Sequence, residues 1–465
     1  MADSLAAADY IGDLGNGLVR RWSTPADVEK IALCTGTVFR YRADEPPNEA
    51  VANECRVMLS PGFPLMGPGD FAVVEDTSLP ERPVVACLCC WSHRWNLGGV
   101  SFGVGRPEIV ATLPAYRKRG LIRALFEMFH ARSAARGEVV QAITGIEYYY
   151  RQFGYEYALD LGGRRTFAAD GVPPLPEGDV EPYTLRAATV DDIPHIQALY
   201  ARLCRKSLVH AEATEANWRY YITAWDEPVV RSQAPERVGL AYRLLTVVDR
   251  EGHVCGFTTT ASRRRTNKYA IFDLELYPGV NWQAAMPSLL RAFCAIGHEL
   301  RPMAADAPPF SELVLALGRS HPAYEVLDEK LHAESEKVYA WYVRVPDVPG
   351  FLRHIAPVLE QRLADSILSG YTGELKLQLY RSGLRLQFEH GELAAVEPWA
   401  ALEFEDDAAL NCPPLLFLQL LFGYRSIGDL VETYPDVWVK DGATRLVLDT
   451  LFSKQQSIMW GMGYT

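Results

Sequence analysis

The 465-residue chain carries 46 Lys and Arg against 58 Asp and Glu, so its formal net charge is -12 at pH 7. An acidic chain is a poor match for a phosphate backbone, and we expect no nucleic-acid partner. Its nine cysteines follow no repeating spacing, which argues against a disulfide framework and against a metal site. Reduced, structural cysteines in a cytoplasmic protein are the favoured interpretation.

The first residues, MADSLAAADYIGD, lack the apolar core and flanking cations of a secretory signal. No apolar run reaches the ~18 residues that a membrane helix needs, so we expect no membrane partner. At roughly 150 residues per domain, the length predicts about three domains. Proline-rich breaks at 168–182 and 346–350 divide the chain into segments 1–172, 183–345 and 350–465.

The first segment alternates strand-like and helix-like patterns, which is typical of an α/β module. A long amphipathic run predicts a helix from Leu121 to Arg136, with Gly137 as its stop. Apolar runs predict strands at 70–76, 84–91, 107–112 and 139–144, and a short helix at 147–155.

A basic turn stands directly before that long helix. Arg117, Lys118 and Arg119 precede Gly120 in the sequence PAYRKRGLIRAL. The helix dipole disfavours cations at an N-terminus, so three of them there indicate a compensating anion. Glycine permits close backbone approach, and helix-start amides suit a pyrophosphate. We therefore favour a pyrophosphate site over a merely solvated basic helix start.

Two other motifs carry less weight. Residues 99–103 fit G-x-S-x-G around Ser101, but a hydrolase nucleophile needs a strand-to-helix turn, and a strand follows here. Residues 103–105, Gly-Val-Gly, lack the third glycine of a dinucleotide fingerprint. We interpret both as a glycine-rich loop between strands.

The second segment repeats landmarks of the first at an offset of 164 or 165 residues, which predicts duplication of one α/β module. The shared landmarks are a strand arginine, a Thr and Asp pair that caps a helix, and a proline after a strand. They are Arg21, Thr24, Asp27 and Pro114 in the first segment, and Arg186, Thr189, Asp192 and Pro278 in the second.

The third segment has a different pattern. Residues 377–397 alternate apolar and polar side chains, as a hairpin of half-buried strands would. Residues 411–432 predict a helix, a turn at Gly423 and the start of a second helix. This combination indicates an α+β domain.

These stretches together resemble the GNAT N-acetyltransferase superfamily. The resemblance rests on two stretches, IVATLPAYRKRGLIRAL at 109–125 and YYYRQFGYE at 148–156. The basic turn fits the family's Q/R-x-x-G-x-G/A loop, except that Ile122 replaces a small residue. A bulky residue there, with LLFGYRSIGDL at 420–430 and VLDTLF at 447–452, is similar to the enhanced intracellular survival branch. The resemblance implies two fused GNAT modules, the second degenerate, a sterol-carrier-protein-like C-terminal domain, and assembly as a hexamer.

The resemblance also implies a reaction, the transfer of an acetyl group from acetyl-CoA to a primary amine. Tyr150 matches the family's proton donor to the leaving thiolate, and a phenol (pKa ~10) is protonated at neutral pH. In this branch the terminal carboxylate, here that of Thr465, is implicated as the amine's proton acceptor. Backbone groups for the pantetheine fall at Val110, Ala111 and Thr112, and the pyrophosphate loop falls at Arg117, Lys118, Arg119, Gly120, Leu121, Ile122 and Arg123.

Two further expectations concern the acceptor and the second segment. An acidic chain suits a cationic small-molecule or peptide amine, although the acidic run at 403–407 is more simply a solvated loop. In the second segment the loop position falls at 281–284, Asn-Trp-Gln-Ala, which has no cation and no glycine. We expect it to bind no coenzyme and to wall the acceptor pocket. The alternative function is a non-catalytic protein that binds acyl-CoA or lipid.

Overall fold

The computed structural model describes residues 2–304, 306–400 and 407–459. The first segment supplies most of a nine-stranded sheet. The predicted strands at 84–91 and 107–112 are parts of a longer hairpin that turns at Gly98 and Gly99, both with positive φ. The elements are α1 (Ala2–Ala6), β1 (Ile11–Gly15), β2 (Leu18–Trp22), α2 (Val28–Val38), α3 (Glu49–Met58), β3 (Phe71–Asp76), β4 (Val84–Leu97), β5 (Val100–Thr112), α4 (Leu121–Ala135), β6 (Val140–Ile143) and β7 (Glu156–Leu161).

The residues from 165 to 344 supply a seven-stranded sheet and two strands that join the first sheet. The proline-rich stretch from 172 to 182 has no regular structure, as its composition predicts. The elements are β8 (Arg165–Ala168), β9 (Tyr183–Ala187), α5 (Ile193–Cys204), β10 (Val209–Ala211), α6 (Glu215–Thr223), α7 (Pro228–Arg231), β11 (Tyr242–Asp249), β12 (Val254–Ala261), β13 (Lys268–Leu276), α8 (Trp282–Glu299), β14 (Glu312–Leu315), α9 (Pro322–Glu325), β15 (Glu334–Ser335) and β16 (Tyr339–Arg344).

From β2 to β7, the strand order of the first sheet matches the order of the second sheet from β9 to β15. The first runs β1-β2-β3-β4-β5-β6-β16-β7, with β10 also paired to β4, and the second runs β15-β8-β14-β13-β12-β11-β9. In each sheet an antiparallel series ends in one parallel pair, β5 with β6 or β13 with β14. The helix that crosses between those strands is α4 in the first sheet and α8 in the second.

Each of the two sheets contains a strand that the other segment supplies. Strand β16 follows the whole second sheet in the chain, yet it lies between β6 and β7 of the first. Strand β8 precedes the second sheet in the chain and pairs with β14. The first two segments therefore exchange strands across the predicted boundary at 172–183, because strand propensity does not specify a pairing partner.

The repeated arginine, threonine and aspartate form the same hydrogen-bonded arrangement in both segments. Arg21 grips Asp27 with two hydrogen bonds of 2.8 Å, and Arg186 grips Asp192 with bonds of 2.7 and 2.8 Å. Each aspartate also closes a capping box with a threonine three residues earlier. Each such pair of hydrogen bonds ties a strand, β2 or β9, to the start of the helix that follows it, α2 or α5.

The third segment forms a five-stranded sheet with order β19-β18-β17-β20-β21. The hairpin predicted at 377–397 appears as β18 and β19, preceded by the end of β17, and the predicted helical turn falls at Gly423, with φ 66°. Among the described residues, none of the helices has the length and apolarity to cross a bilayer. The elements are α10 (Val348–His354), α11 (Ala356–Ala364), β17 (Gly373–Gln378), β18 (Gly383–Glu389), β19 (Glu392–Pro398), β20 (Leu410–Asn411), α12 (Pro414–Leu421), α13 (Ile427–Thr433), β21 (Trp438–Val439) and α14 (Gly442–Leu451).

Candidate active site

A wedge opens in the first sheet where β5 and β6 separate. These parallel strands pair only through Val104 with Val140 and Gly105 with Gln141, and β5 then continues alone on that side to Thr112. A bulge bends β5 at this point, because two of its residues oppose one residue of β4. Ile109 in the bulge has φ 51°, a left-handed conformation that costs a β-branched residue about 1–2 kcal/mol.

A cleft of about 640 Å³ occupies this wedge. It lies between the end of β5, the start of α4 and the short helical turn at 149–153. All ten residues predicted to contact the coenzyme line it: Val110, Ala111, Thr112, Arg117, Lys118, Arg119, Gly120, Leu121, Ile122 and Arg123.

The backbone at the start of α4 presents a row of unpaired amides to this cleft. Within the described chain, the N–H groups of residues 118–123 have no hydrogen-bond acceptor, and the first helical bond runs from Ala124 N to Gly120 O at 3.1 Å. Lys118 and Gly120 have φ of 62° and 75°. Such a concave row of amides at a helix start binds an anion.

Gly120 suits this cradle in two ways. Its positive φ favours glycine, and a Cβ placed there would have no protein atom within 4 Å. The space beside Gly120 is therefore open to a ligand.

Four cationic side chains surround the row of amides, and none of the four has a carboxylate partner among the described residues. They are exposed, and none is within 4.0 Å of a carboxylate oxygen in the described part of the chain. Neutral groups orient three of them, so the positive field of the cleft is not cancelled locally. Arg117 Nε donates to Thr112 O at 3.3 Å, Arg119 lies 5.0 Å from the Tyr116 ring, Arg123 Nη2 donates to Gln152 Oε1 at 3.1 Å, and Lys118 is the fourth.

The corresponding helix of the second sheet closes its own amides. The Asn281 side chain caps α8 and accepts hydrogen bonds from the amides of Gln283 at 2.9 Å and Ala284 at 3.3 Å. An internal cap satisfies the donors that an anion would otherwise bind. The two helix starts therefore differ in free donors as well as in charge.

We expect calorimetry to find one molecule of acetyl-CoA per chain, because the described start of α4 presents free amides and unpaired cations whereas that of α8 does not. Asn281→Ala, which uncaps α8, should leave that stoichiometry unchanged, since no cation lies at 281–284. Two equivalent molecules per chain would contradict the prediction.

The three consecutive tyrosines point in different directions. Tyr148 is 74% exposed, Tyr149 lines the cleft, and Tyr150 is 3% exposed and does not line the cleft. The Tyr150 ring packs 5.4 Å from the Tyr342 ring. Its hydroxyl lies 3.8 Å from where a Cβ on Gly145 would stand, just beyond the end of β6.

The Tyr150 hydroxyl is a free proton carrier beside the cleft. It makes no hydrogen bond to any residue that the structure describes. Burial raises its pKa, and the charge of Glu108 adds to this effect, so the phenol keeps its proton at neutral pH. Thr465, the predicted proton acceptor, lies outside the described residues.

A buried polar cluster next to Tyr150 was missed in the sequence. Arg106 is 2% exposed and lies between the rings of Trp91 and Trp341, at 5.0 and 4.6 Å. Its Nη2 donates to Glu108 Oε1 at 2.7 Å, and its Nη1 is 3.2 Å from His93 Nε2. The available signal was the pair of charges two residues apart on a buried strand, which places both side chains on one face.

The titration of this cluster leaves one candidate base. Burial, with the nearby charge of Arg106, holds the pKa of His93 well below its usual value, so the ring is neutral. Its Nε2 then accepts the Arg106 hydrogen bond and is not free to take a proton. Burial raises the pKa of Glu108 although Arg106 opposes this, and Glu108 Oε2 accepts no hydrogen bond from a described residue.

A second cleft, of about 220 Å³, lies on the other side of β5. Ile109 lines this cleft and Val110 lines the first, so consecutive residues of one strand belong to the two clefts. Both the first and the second segment contribute to its walls. The lining residues are Glu54, Val57, Met58, Phe63, Trp91, Ile109, Tyr221, Gly239, Leu240, Ala241 and Tyr242.

Ser101 has no nucleophile geometry. It lies at the start of β5, its hydroxyl donates to Glu212 at 2.7 Å, and no helix follows it. The expectation of a glycine-rich loop here was wrong, because Ser101 and Gly103 lie inside β5 and only Gly99 of the match lies in the turn.

Comparisons with known proteins bear on the first domain. Residues 21–158 match the family model of the GNAT acetyltransferase domain. No curated protein matches the chain by sequence. The segment that holds the first cleft is therefore similar to an acetyltransferase domain.

Solved structures share the fold over nearly the whole chain. A GCN5-related N-acetyltransferase from Anabaena variabilis is 14% identical, with a TM-score of 0.62 over 95% of this chain and 99% of that one. A probable N-acyltransferase from Enterococcus faecalis is 14% identical, with a TM-score of 0.65 over 95% and 98%. Eis1 from Mycobacterium abscessus is 14% identical, with a TM-score of 0.56 over 95% and 99%. At these identities the similarity is one of fold.

Proposed function

We propose that this chain is an N-acetyltransferase that moves the acetyl group of acetyl-CoA to a primary amine. The observation that carries the proposal is the cradle at the start of α4, with six unpaired amides and four unpaired cations inside a segment that matches a GNAT domain. These donors match a diphosphate in charge and in hydrogen bonding.

In this reaction the residues of the chain transfer protons and align the pantetheine arm. Bound acetyl-CoA supplies a thioester, whose C–S bond breaks as the amine nitrogen bonds to the carbonyl carbon. Tyr150 donates its proton to the departing sulfur, which suits a phenol whose pKa burial has raised. The unpaired edge of β5 at Val110 to Thr112 offers backbone groups that align the pantetheine arm.

The proton of the attacking amine needs an acceptor. Glu108 is the candidate among the described residues, because Oε2 is free and Ile109 beside it lines the second cleft. The terminal carboxylate of Thr465 is the other candidate. Arg106 holds the carboxylate of Glu108 in place through Oε1.

The proposal also covers the domain architecture and the assembly of the chain. Matching strand orders and paired Arg–Asp hydrogen bonds support two GNAT modules from one duplication, the second degenerate. The α+β third segment is then a sterol-carrier-protein-like domain. We propose a cytoplasmic enzyme that assembles as a hexamer.

Release of the CoA thiol against pH, with a panel of primary amines, tests the reaction and its base. In the wild type we expect turnover to fall as pH drops through the pKa of Glu108, since only the carboxylate accepts a proton. Glu108→Gln should lower kcat about 100-fold and remove that fall. If the terminal carboxylate of Thr465 is the acceptor instead, appending a few residues after Thr465 should cause this loss of kcat.

The exposed Glu127 on α4 offers a control, and Glu127→Gln should leave the pH profile unchanged. If acetyl-CoA binds but no amine releases thiol at any pH, the enzyme proposal fails. The non-catalytic acyl-CoA or lipid-binding protein then becomes the better interpretation.

A further inference from the structure

We propose that the acceptor is a compact aromatic or apolar amine with a single positive charge, and that it binds in the second cleft. This inference rests on the proposed acetyltransferase function and names its substrate class. It differs from the multiply charged acceptor that the overall acidity of the chain suggests, because the described residues of the cleft wall carry little usable negative charge.

Aromatic and aliphatic side chains make up most of the cleft wall. Phe63 and Trp91 lie 6.2 Å apart on the first domain, and Tyr221 and Tyr242 face them from the second segment. Such a wall binds a ring or an alkyl chain by removing apolar surface from water. Ring faces also attract one ammonium group, which adds to the binding of a monoamine.

The only carboxylate among the described lining residues is already paired. Glu54 forms an ion pair with Arg263, which also donates to Val238 O. A polyamine would bring several charges into this wall without counter-ions, and an unpaired buried charge is costly. A single ammonium can be held by the ring faces of the wall, whereas each further charge would lack a partner among the described lining residues.

The volume of the cleft also favours a compact acceptor. A volume of about 220 Å³ is below the ≈ 300–1,000 Å³ of sites for drug-sized ligands. It holds about seven waters at ≈ 30 Å³ each. A phenyl ring with a short aminoalkyl arm is of this scale.

The amine would enter beside the point of reaction. Ile109 and Val110 are neighbours on β5, with Cα atoms about 3.8 Å apart, and they line the two clefts. Trp91 belongs to the wall and stacks 5.0 Å from the Arg106 guanidinium that holds Glu108. An amine seated on Trp91 therefore lies next to the proposed proton acceptor and to the thioester arm.

The test compares 2-phenylethylamine, hexylamine, spermidine and kanamycin. Thiol release gives kcat/KM for each amine, and calorimetry without acetyl-CoA gives its binding. We expect kcat/KM for 2-phenylethylamine and hexylamine to exceed that for spermidine and kanamycin at least about tenfold. Tyr242→Ala should raise KM for 2-phenylethylamine about tenfold and leave KM for acetyl-CoA unchanged.

Tyr380, 53% exposed on the third sheet, provides the matched control, and Tyr380→Ala should change neither KM. If spermidine or kanamycin is preferred, or if Tyr242→Ala leaves KM for 2-phenylethylamine unchanged, the acceptor inference is overturned while the acetyltransferase stands. If 2-phenylethylamine binds in a Tyr242-dependent way but no amine releases thiol, the inference about the cleft holds and the acetyltransferase proposal falls.

Discussion

Replacement of Gly120 by alanine is expected to weaken acetyl-CoA binding about 30- to 140-fold. Gly120 has φ 75°, and its missing Cβ faces open space in the first cleft. Alanine either turns the backbone away from positive φ, which disperses the row of amides, or places a methyl group where the diphosphate approaches. Loss of one or two charge-assisted hydrogen bonds costs about 2–3 kcal/mol, which gives that factor. Calorimetric titration measures it directly.

The same helix provides the control. Gly137 follows the other end of α4 with φ 70°, and a Cβ there would also meet no protein atom within 4 Å. Gly137→Ala therefore carries the same backbone cost of about 1–2 kcal/mol without touching the cleft. Both variants should lose similar thermal stability, and only Gly120→Ala should lose affinity. Equal affinity in the two variants would remove the diphosphate cradle from the proposal.

Replacement of Tyr150 by phenylalanine is expected to lower kcat about 100- to 1,000-fold and to leave the affinity for acetyl-CoA unchanged. The hydroxyl makes no hydrogen bond to a described residue, so its removal leaves no buried partner unsatisfied. The ring keeps its packing against Phe126 and Tyr342. What is lost is the proton for the departing thiolate, a role of this magnitude in general acid catalysis. Pre-steady-state thiol release isolates the chemical step.

Tyr149 is the natural comparison, because it precedes Tyr150 and lines the cleft itself. Tyr149→Phe should leave kcat within about threefold of the wild type, well short of the loss expected for a general acid. Wild-type turnover in Tyr150→Phe would exclude it as the proton donor. A large loss in Tyr149→Phe alone would move that role to the neighbouring residue.

Much of the first cleft could be predicted because its determinants are local. Four consecutive residues, Arg117 to Gly120, set both the charge and the backbone conformation of the helix start, and α4 follows from its own apolar spacing. The cap on α8 is equally local, since Asn281 bonds to amides two and three residues away. The positions of the ten lining residues depend on one strand, one turn and one helix.

The buried cluster could not be predicted in the same way. Arg106 and Glu108 are visible as charges on a strand, but their partners Trp91, His93 and Trp341 come from β4 and β16. A charged residue in a strand is ordinarily read as an exposed position, because burial of an unpaired charge is costly. Only the assembled sheet shows that the charges are paired and enclosed.

The sequence alone determined the basic turn, its helix and the repeated Thr–Asp caps, because each depends on residues close together in the chain. The tertiary structure alone decided which tyrosine of three is buried, which strands the two sheets exchange, and that Ile109 and Val110 open onto different clefts. These features depend on contacts between residues more than a hundred positions apart, such as Gln141 with Arg344. Local propensity carries no information about such pairings, since their free energy arises only when the chain is folded.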